Sequence, residues 1–133
     1  MVEEIKTRTK RLLYREIASL VQAIKNCQEQ DNVEWEIKHT ERLNDLAHNL
    51  PHGSGFDNGT TLNHDKSGPG KLVFETSFHH MNDAGYDGWT DHTVVVTPSF
   101  DGIDLRITGR DRNDIKDYIH EVFHNALMTE VLI

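Results

Sequence analysis

The chain has 133 residues, enough for one domain with a buried core, and its hydrophobic content of 36% is somewhat low for a globular protein. Its net charge of −8 excludes binding to bulk nucleic acid through the phosphate backbone, because such binding needs a basic surface. Cys27 is the only cysteine, which excludes an intrachain disulfide and a cysteine-rich zinc site. No apolar run approaches the roughly 18 residues of a membrane-spanning helix and no signal-type leader is apparent, so we expect a soluble cytoplasmic protein without a membrane partner.

The first fifty residues predict a helical hairpin. Residues 2–28 carry apolar side chains at helical spacing. Asp31 followed by Glu34 resembles a capping box that starts a second helix, which Pro51 ends. Both helices are long for a domain of this size, so we expect a homo-oligomer that associates through them. The alternative is a helical pair that packs only on its own sheet.

Residues 51–70 change abruptly in composition and are rich in glycine. About twenty residues without clear structure in a compact domain are usually functional or disordered. We expect Phe56 and Leu62 to anchor this loop. Its polar side chains would present hydrogen-bond donors and acceptors to a ligand, namely His52, Ser54, Asp57, Asn58, Thr60 and Thr61. The alternative is a flexible linker.

From residue 71 the apolar side chains alternate, which predicts strands. Turn sequences at 82–88 and at 101–102 divide the segment into a three-stranded antiparallel meander, with Pro98 ending the second strand. A final helix follows, capped by Asp111 or Asn113. Its expected buried face consists of Ile115, Tyr118, Ile119, Val122, Phe123, Ala126 and Leu127.

This order of elements predicts an α+β fold in a single domain, residues 1–133. The helical hairpin occupies 1–50, the polar glycine-rich loop 51–70, and the sheet with its packed C-terminal helix 71–133.

The segment 120–124 matches the H-E-x-x-H motif of zinc peptidases. His120 and His124 would lie on one helix face and bind zinc, with Glu121 as the general base on the metal-bound water. A zinc-dependent hydrolase is therefore an alternative function, and a solvated helix face with incidental histidines is the favoured interpretation. A catalytic zinc needs a third protein ligand. The upstream candidates for it are His79, His80 and His92.

These three histidines lie near the bend between the first two strands. His79 and His80 are adjacent in a strand and point to opposite faces, so at most one of them shares a site with His92. The cluster is typical of a metal site, of a hydrogen-bonded sheet surface, or of a polar-ligand pocket in which Phe78, Tyr86 or Trp89 supplies a stacking surface. The pocket is the favoured interpretation.

The strand-to-helix turn Gly109–Asp114 carries two arginines. A helix start offers free N–H groups and the positive end of the helix dipole, which suit an anion. Arg110 and Arg112 add guanidinium groups that bind phosphate in a bidentate manner, with Asn113 beside them and Arg106 on the outer face of the preceding strand. The alternative is ion pairing of these arginines with nearby aspartates.

Four stretches of the chain resemble small phage-encoded proteins of unassigned role. They are Leu50–Asp57, Phe78–Met81, Gly88–Thr90 and Gly109–Asp114. More loosely, the layout is similar to that of the anti-Thoeris sponge proteins of phages, which are helical-hairpin-plus-sheet oligomers that sequester cyclic ADP-ribose-type immune signals. This resemblance implies that Arg110 and Arg112 bind phosphates and that Phe78 or Trp89 stacks on a base.

Together these patterns predict a non-enzymatic protein that binds a small anionic or nucleotide-like ligand. In a phage setting it would sequester a cyclic nucleotide defence signal in the host cytoplasm. A further alternative is an acidic inhibitor of a defence complex. No cofactor is expected, apart from zinc in the hydrolase alternative. The predicted ligand-binding residues, on the loop 51–63, the hairpin 78–92, the third strand and the turn 110–113, are His52, Ser54, Asp57, Phe78, His80, Trp89, His92, Arg106, Arg110, Arg112 and Asn113.

Overall fold

The computed structural model describes residues 10–52, 56, 59–68, 70–81, 87–100, 102–109 and 113–132. It is an α+β fold, as predicted. The elements in chain order are β1 (Lys10–Leu12), α1 (Leu13–Glu29), α2 (Val33–Leu46), a 3₁₀ turn (Ala47–Asn49), β2 (Thr60–Leu62), β3 (Leu72–Met81), β4 (Asp87–Ser99), β5 (Gly102–Thr108), α3 (Asn113–Leu127) and β6 (Glu130–Leu132).

The helical hairpin is present, but its first helix begins later than predicted. α1 begins at Leu13, and Lys10–Leu12 form a strand that pairs antiparallel with β6. The prediction of helix over 2–28 is therefore wrong for residues 10–12, and the residues before them lie outside the described part of the chain. The N–H of Leu13 donates to the carbonyl of Thr129 at 2.8 Å. Pairing with the far end of the chain, which local periodicity cannot reveal, thus replaces the first helical turn.

The second helix has a different cap from the predicted one. The side-chain oxygen of Asn32 accepts a hydrogen bond from the N–H of Trp35 at 3.4 Å. Asp31 instead has a φ of 54° and forms part of the tight connection between the helices. Asparagine and aspartate both suit an N-cap, so the pattern locates the start of the helix without deciding which residue caps it.

The larger sheet is antiparallel with strand order β2-β3-β4-β5. The predicted meander is present as β3-β4-β5, and the predicted loop 51–70 adds a fourth strand. β2 pairs Thr60 with Thr76 and Leu62 with Phe74. The expectation that this loop lacks regular structure is wrong for residues 60–62.

Pro98 does not end β4, which continues to Ser99. The pairing of β3 with β4 stops at Val96, and beyond that point β4 pairs only with β5, where Pro98 lies opposite Ile103. A proline is tolerated there because only one side of the strand still needs backbone donors.

Alternate residues of the sheet divide between two faces. The inner face carries Phe74, Val94 and Val96 and packs against α1 and α3, while α2 packs on α1. The outer face carries the intervening residues, including Glu75 and Arg106. Because the apolar core lies against the inner face, sliding a strand by one residue would turn most of its apolar side chains outward, and this fixes the register.

α3 buries the expected face with one exception. Ile119, Phe123 and Leu127 are fully buried, whereas Tyr118 is 41% exposed at the margin of the core. The Phe123 ring lies 6.0 Å from the Phe74 ring and 6.1 Å from the Phe56 ring. The helix therefore joins the sheet and the loop in one core. No helix in the described ranges is long and apolar enough to cross a membrane.

We predict that Phe123→Ala lowers the free energy of unfolding by about 3–5 kcal/mol, because it opens a cavity beside the rings of Phe56 and Phe74. Phe100→Ala is the matched control, since Phe123 is 0% exposed and Phe100 is 103% exposed. The control should change stability by less than about 0.5 kcal/mol. Urea denaturation measures both. Equal losses for the two variants would contradict the packing described.

Candidate functional site

A row of polar residues crosses the otherwise apolar inner face near one end of the sheet. Thr60 pairs with Thr76, and Thr76 pairs with His92. Gly109 continues the row, because Thr108 before it pairs with Thr93. Thr76 and His92 are buried, His92 being only 2% exposed. Buried polar groups of this kind persist when they are hydrogen-bonded.

Hydrogen bonds from this row fix both ends of the 51–59 loop. The Thr60 hydroxyl donates to the carbonyl of Pro51 at 2.9 Å, and the Thr76 hydroxyl donates to the carbonyl of Gly59 at 3.2 Å. The two hydroxyl oxygens lie 3.4 Å apart. The threonines of β2 and β3 thereby tie Pro51 and Gly59, at the two ends of this segment, to the sheet.

The His92 ring is oriented by its own strand. Nδ1 lies 2.9 Å from the carbonyl oxygen of Thr90. A carbonyl only accepts, so Nδ1 must carry a proton, and Nε2 of the neutral ring is then the acceptor nitrogen.

The backbone of Gly109 packs directly against the His92 ring. A Cβ built on Gly109 would stand 2.3 Å from Cδ2 of His92, which is closer than any side chain tolerates. Glycine is therefore required at 109 by close packing. The strand-to-helix turn thus begins in contact with the hairpin.

Phe56 closes the end of the sheet from the loop side, which confirms its predicted anchoring role. It is almost fully buried, and its ring lies 5.1 Å from the Phe78 ring and 6.2 Å from the Tyr118 ring. Phe78 also contacts Tyr118 at 5.8 Å. The two contacts of Phe78 are edge-to-face and the Phe56–Tyr118 contact is stacked, and both arrangements stabilise a core. Phe78 is therefore a core residue, and its position conflicts with the expectation that it stacks on a ligand.

A groove of about 410 Å³ opens on the outer face at the same end of the sheet. Glu75 and Asp91 are exposed in it, and the Ser77 hydroxyl donates to a carboxylate oxygen of Asp91 at 2.5 Å. Hydroxyls and carboxylates suit a hydroxyl-bearing ligand better than a bare phosphate. The lining residues are Gly59, Thr61, Glu75, Thr76, Ser77, Asp91, His92 and Thr93.

The structure separates the predicted ligand-binding residues that it describes. His92 and Phe78 are on the inner face, whereas Arg106 is exposed on the outer face opposite Val95. Arg106 therefore shares the outer face with the groove but does not line it, whereas His92 lines the groove although its side chain is on the inner face. His52 Nδ1 lies 2.8 Å from the carbonyl oxygen of Leu50, and Asn113 is exposed at the start of α3.

Six predicted positions stay predictions. Ser54, Asp57, Arg110 and Arg112 lie outside the described residues, as do the side chains of His80 and Trp89.

The H-E-x-x-H segment lies on α3 beside the edge of β5. The His120 and His124 rings are nearly parallel, 6° apart in orientation, with centroids 6.2 Å apart. Both histidines line a groove with Arg106 and Lys71. Within the ranges that the structure describes, no group of three or more His, Cys, Asp or Glu residues is placed to hold a metal ion.

The sequence predicted Thr60 and Thr61 as polar groups of the loop but did not predict the contribution of Thr76 or of the two carboxylates. Alternation along β3 places Glu75 and Ser77 on one face, but the pairing of Ser77 with Asp91 depends on the length of the hairpin turn. Comparison of the chain with protein-family models, curated proteins and solved structures found no match. The chemistry of the site is therefore argued from its residues.

We predict that Gly109→Ala destabilises the protein by about 1–3 kcal/mol, because the added methyl group overlaps the His92 ring. Gly70→Ala is the control, since a Cβ there meets nothing within 4 Å. In a His92→Ala background the cost of Gly109→Ala should fall, and thermal unfolding of the four variants measures this coupling. The same cost in both backgrounds would show that the ring contact is not responsible.

Proposed function

We propose that this protein binds a small anionic, nucleotide-like ligand without changing it chemically. The observation that carries the proposal is the outer groove beside the hydrogen-bonded junction of loop, hairpin and turn. Its volume of about 410 Å³ falls in the range of small-ligand sites. The polar row behind it holds the groove walls in place before a ligand arrives, which lowers the entropic cost of binding.

The groove is suited to the sugar end of such a ligand. The carboxylates of Glu75 and Asp91 accept hydrogen bonds, and the hydroxyls of Thr61 and Thr93 both donate and accept. A ribose offers neighbouring hydroxyls to such groups, and acidic side chains bind ribose hydroxyls in dinucleotide-binding folds. Among the described residues that line the groove, none is a lysine or an arginine. We therefore assign the groove to the sugar.

The phosphate end is assigned to the turn that starts α3. Gly109 contacts His92, and the sequence continues from it into Arg110 and Arg112. Guanidinium groups and the free N–H groups of a helix start both favour phosphate oxygens. A ligand with a sugar and a phosphate matches both chemistries.

Self-association through the N-terminal helices is also proposed. Val33 is 61% exposed and Ile37 is 53% exposed on neighbouring turns of α2. Exposed aliphatic side chains four positions apart on a helix support contact with another chain.

Sequestration of a signal molecule requires binding without catalysis. A protein that lowers the free concentration of a cyclic nucleotide signal needs affinity and abundance, and it needs no catalytic group. The resemblance to phage proteins supports such a role. Inhibition of a defence complex by the acidic surface stays a prediction.

We predict that ADP-ribose or cyclic ADP-ribose raises the melting temperature, since a ligand that binds only the folded state stabilises it. Asp91→Asn should weaken binding about tenfold, equivalent to about 1.4 kcal/mol, because it removes a charged acceptor. Arg110→Ala should weaken binding at least as much. Isothermal titration calorimetry gives the affinities.

Asp45→Asn on α2 is the matched control for charge removal, because Asp45 is exposed and outside the groove. It should bind as the natural protein does. If no nucleotide shifts the melting temperature, or if Asp91→Asn and Arg110→Ala bind normally, the site is wrongly assigned.

We also predict that protein purified from zinc-containing medium carries no stoichiometric zinc. A catalytic zinc needs three protein ligands, and in the described ranges no third ligand lies beside His120 and His124. Mass spectrometry under non-denaturing conditions measures the metal content. A stoichiometric zinc that is lost in the His120→Ala variant would favour the hydrolase instead.

A further inference from the structure

β5 is an edge strand among the described strands, paired with β4 on one side. Its pairing with β4 is continuous from Gly102 to Thr108, without a bulge. The opposite edge, β2, has only 3 residues. Proteins protect exposed edges by keeping them short or by adding proline, bulges or inward-pointing charges. β5 has no proline, bulge or inward-pointing charge. Its two exposed charges, Asp104 and Arg106, are of opposite sign, so they disfavour most incoming strands but favour one with complementary charges.

Space for another strand is present beside it. A groove of about 880 Å³ runs along β5 and is lined by Leu105 and Arg106 of the strand and by His120 and His124 of α3. The backbone of a neighbouring strand could therefore approach the edge beside α3.

The sequence of β5 is complementary to itself. Ile103, Leu105 and Ile107 are on the inner face, and Asp104 and Arg106 are exposed on the outer face, symmetrically about Leu105. If two copies pair antiparallel about a two-fold axis at Leu105, Asp104 lies opposite Arg106 of the partner subunit. In an antiparallel ladder a two-fold axis can pass through a hydrogen-bonded or a non-hydrogen-bonded residue pair, so the Leu105 pair can lie on the axis in either case. The second charge pair follows by symmetry.

Neither charge is satisfied within the described part of its own chain. The ion pairs there are Arg11 with Glu16 and Lys38 with Glu34, and neither Asp104 nor Arg106 has a side-chain hydrogen bond to another described residue. Opposite charges directly across two strands stabilise the pair, and like charges destabilise it. A strand from a different protein would have no reason to match this symmetric charge order.

We propose that β5 pairs antiparallel with β5 of a second copy of this chain, so that the two four-stranded sheets form one continuous sheet across the two-fold axis. Asp104 and Arg106 set the register, and Leu105 packs against Leu105 of the partner subunit on the inner face. Arg106 thereby belongs to an interface between chains. This proposal does not depend on ligand binding.

Charge reversal tests the pairing. D104R and R106D each place like charges opposite one another, so each variant should lose this association and the mass of the assembly should halve. The double variant D104R/R106D restores opposite charges and should assemble normally. An equimolar mixture of the two single variants should associate as well, because each D104R chain then faces an R106D chain. Sedimentation equilibrium from low to high micromolar concentration measures the masses.

Both positions are exposed, so circular dichroism should show unchanged folding. Asp65→Arg, in the turn between β2 and β3, is the control for charge reversal outside both proposed interfaces. We expect each single variant to raise the dissociation constant at least about tenfold and the control to leave it unchanged. A natural protein that is monomeric throughout, single variants that assemble normally, or a mixture that does not associate would overturn the proposal.

Discussion

The Phe123 ring of α3 packs against Phe74 of β3 and against Phe56 of the preceding loop, and through these rings the helices, the sheet and the loop share one core. The inner face of the sheet is thereby fully used for folding. The register follows, because a slip of one residue would exchange the two faces. What remains for binding is the outer face and the open edge. The candidate ligand groove and the candidate interface occupy these two places.

A row of polar residues interrupts this apolar packing on the inner face of the sheet. Thr76 and His92 are buried on the inner face, where hydrogen bonds to the carbonyls of Gly59 and Thr90 satisfy the Thr76 hydroxyl and Nδ1 of His92. The same contacts bring the loop, the hairpin and the turn at Gly109 together. Rigid walls of this kind favour ligand recognition, because less conformational entropy is lost on binding.

Long periodic segments could be predicted from the sequence, and short paired ones could not. α1, α2, α3 and the meander each carry several periods of apolar residues. The strands β1, β2 and β6 have 3 residues each, too few to show alternation, and they form because a distant segment supplies their partner. The candidate site shows the same division. The outer position of Arg106 follows from alternation alone. Its separation from Phe78 depends on which face of the sheet is buried. The hydrogen bond between Ser77 and Asp91 depends on how β3 and β4 align.

The central claim is that a nucleotide-like ligand lies in the outer groove with its sugar against Glu75 and Asp91. Titration of isotopically labelled protein with cyclic ADP-ribose, followed by nuclear magnetic resonance, tests it most directly. The account predicts that the amide signals that shift most belong to residues 59–61, 75–77 and 91–93. It would be contradicted if no signal shifts, or if the largest shifts fall on α2 or on the buried face of α3.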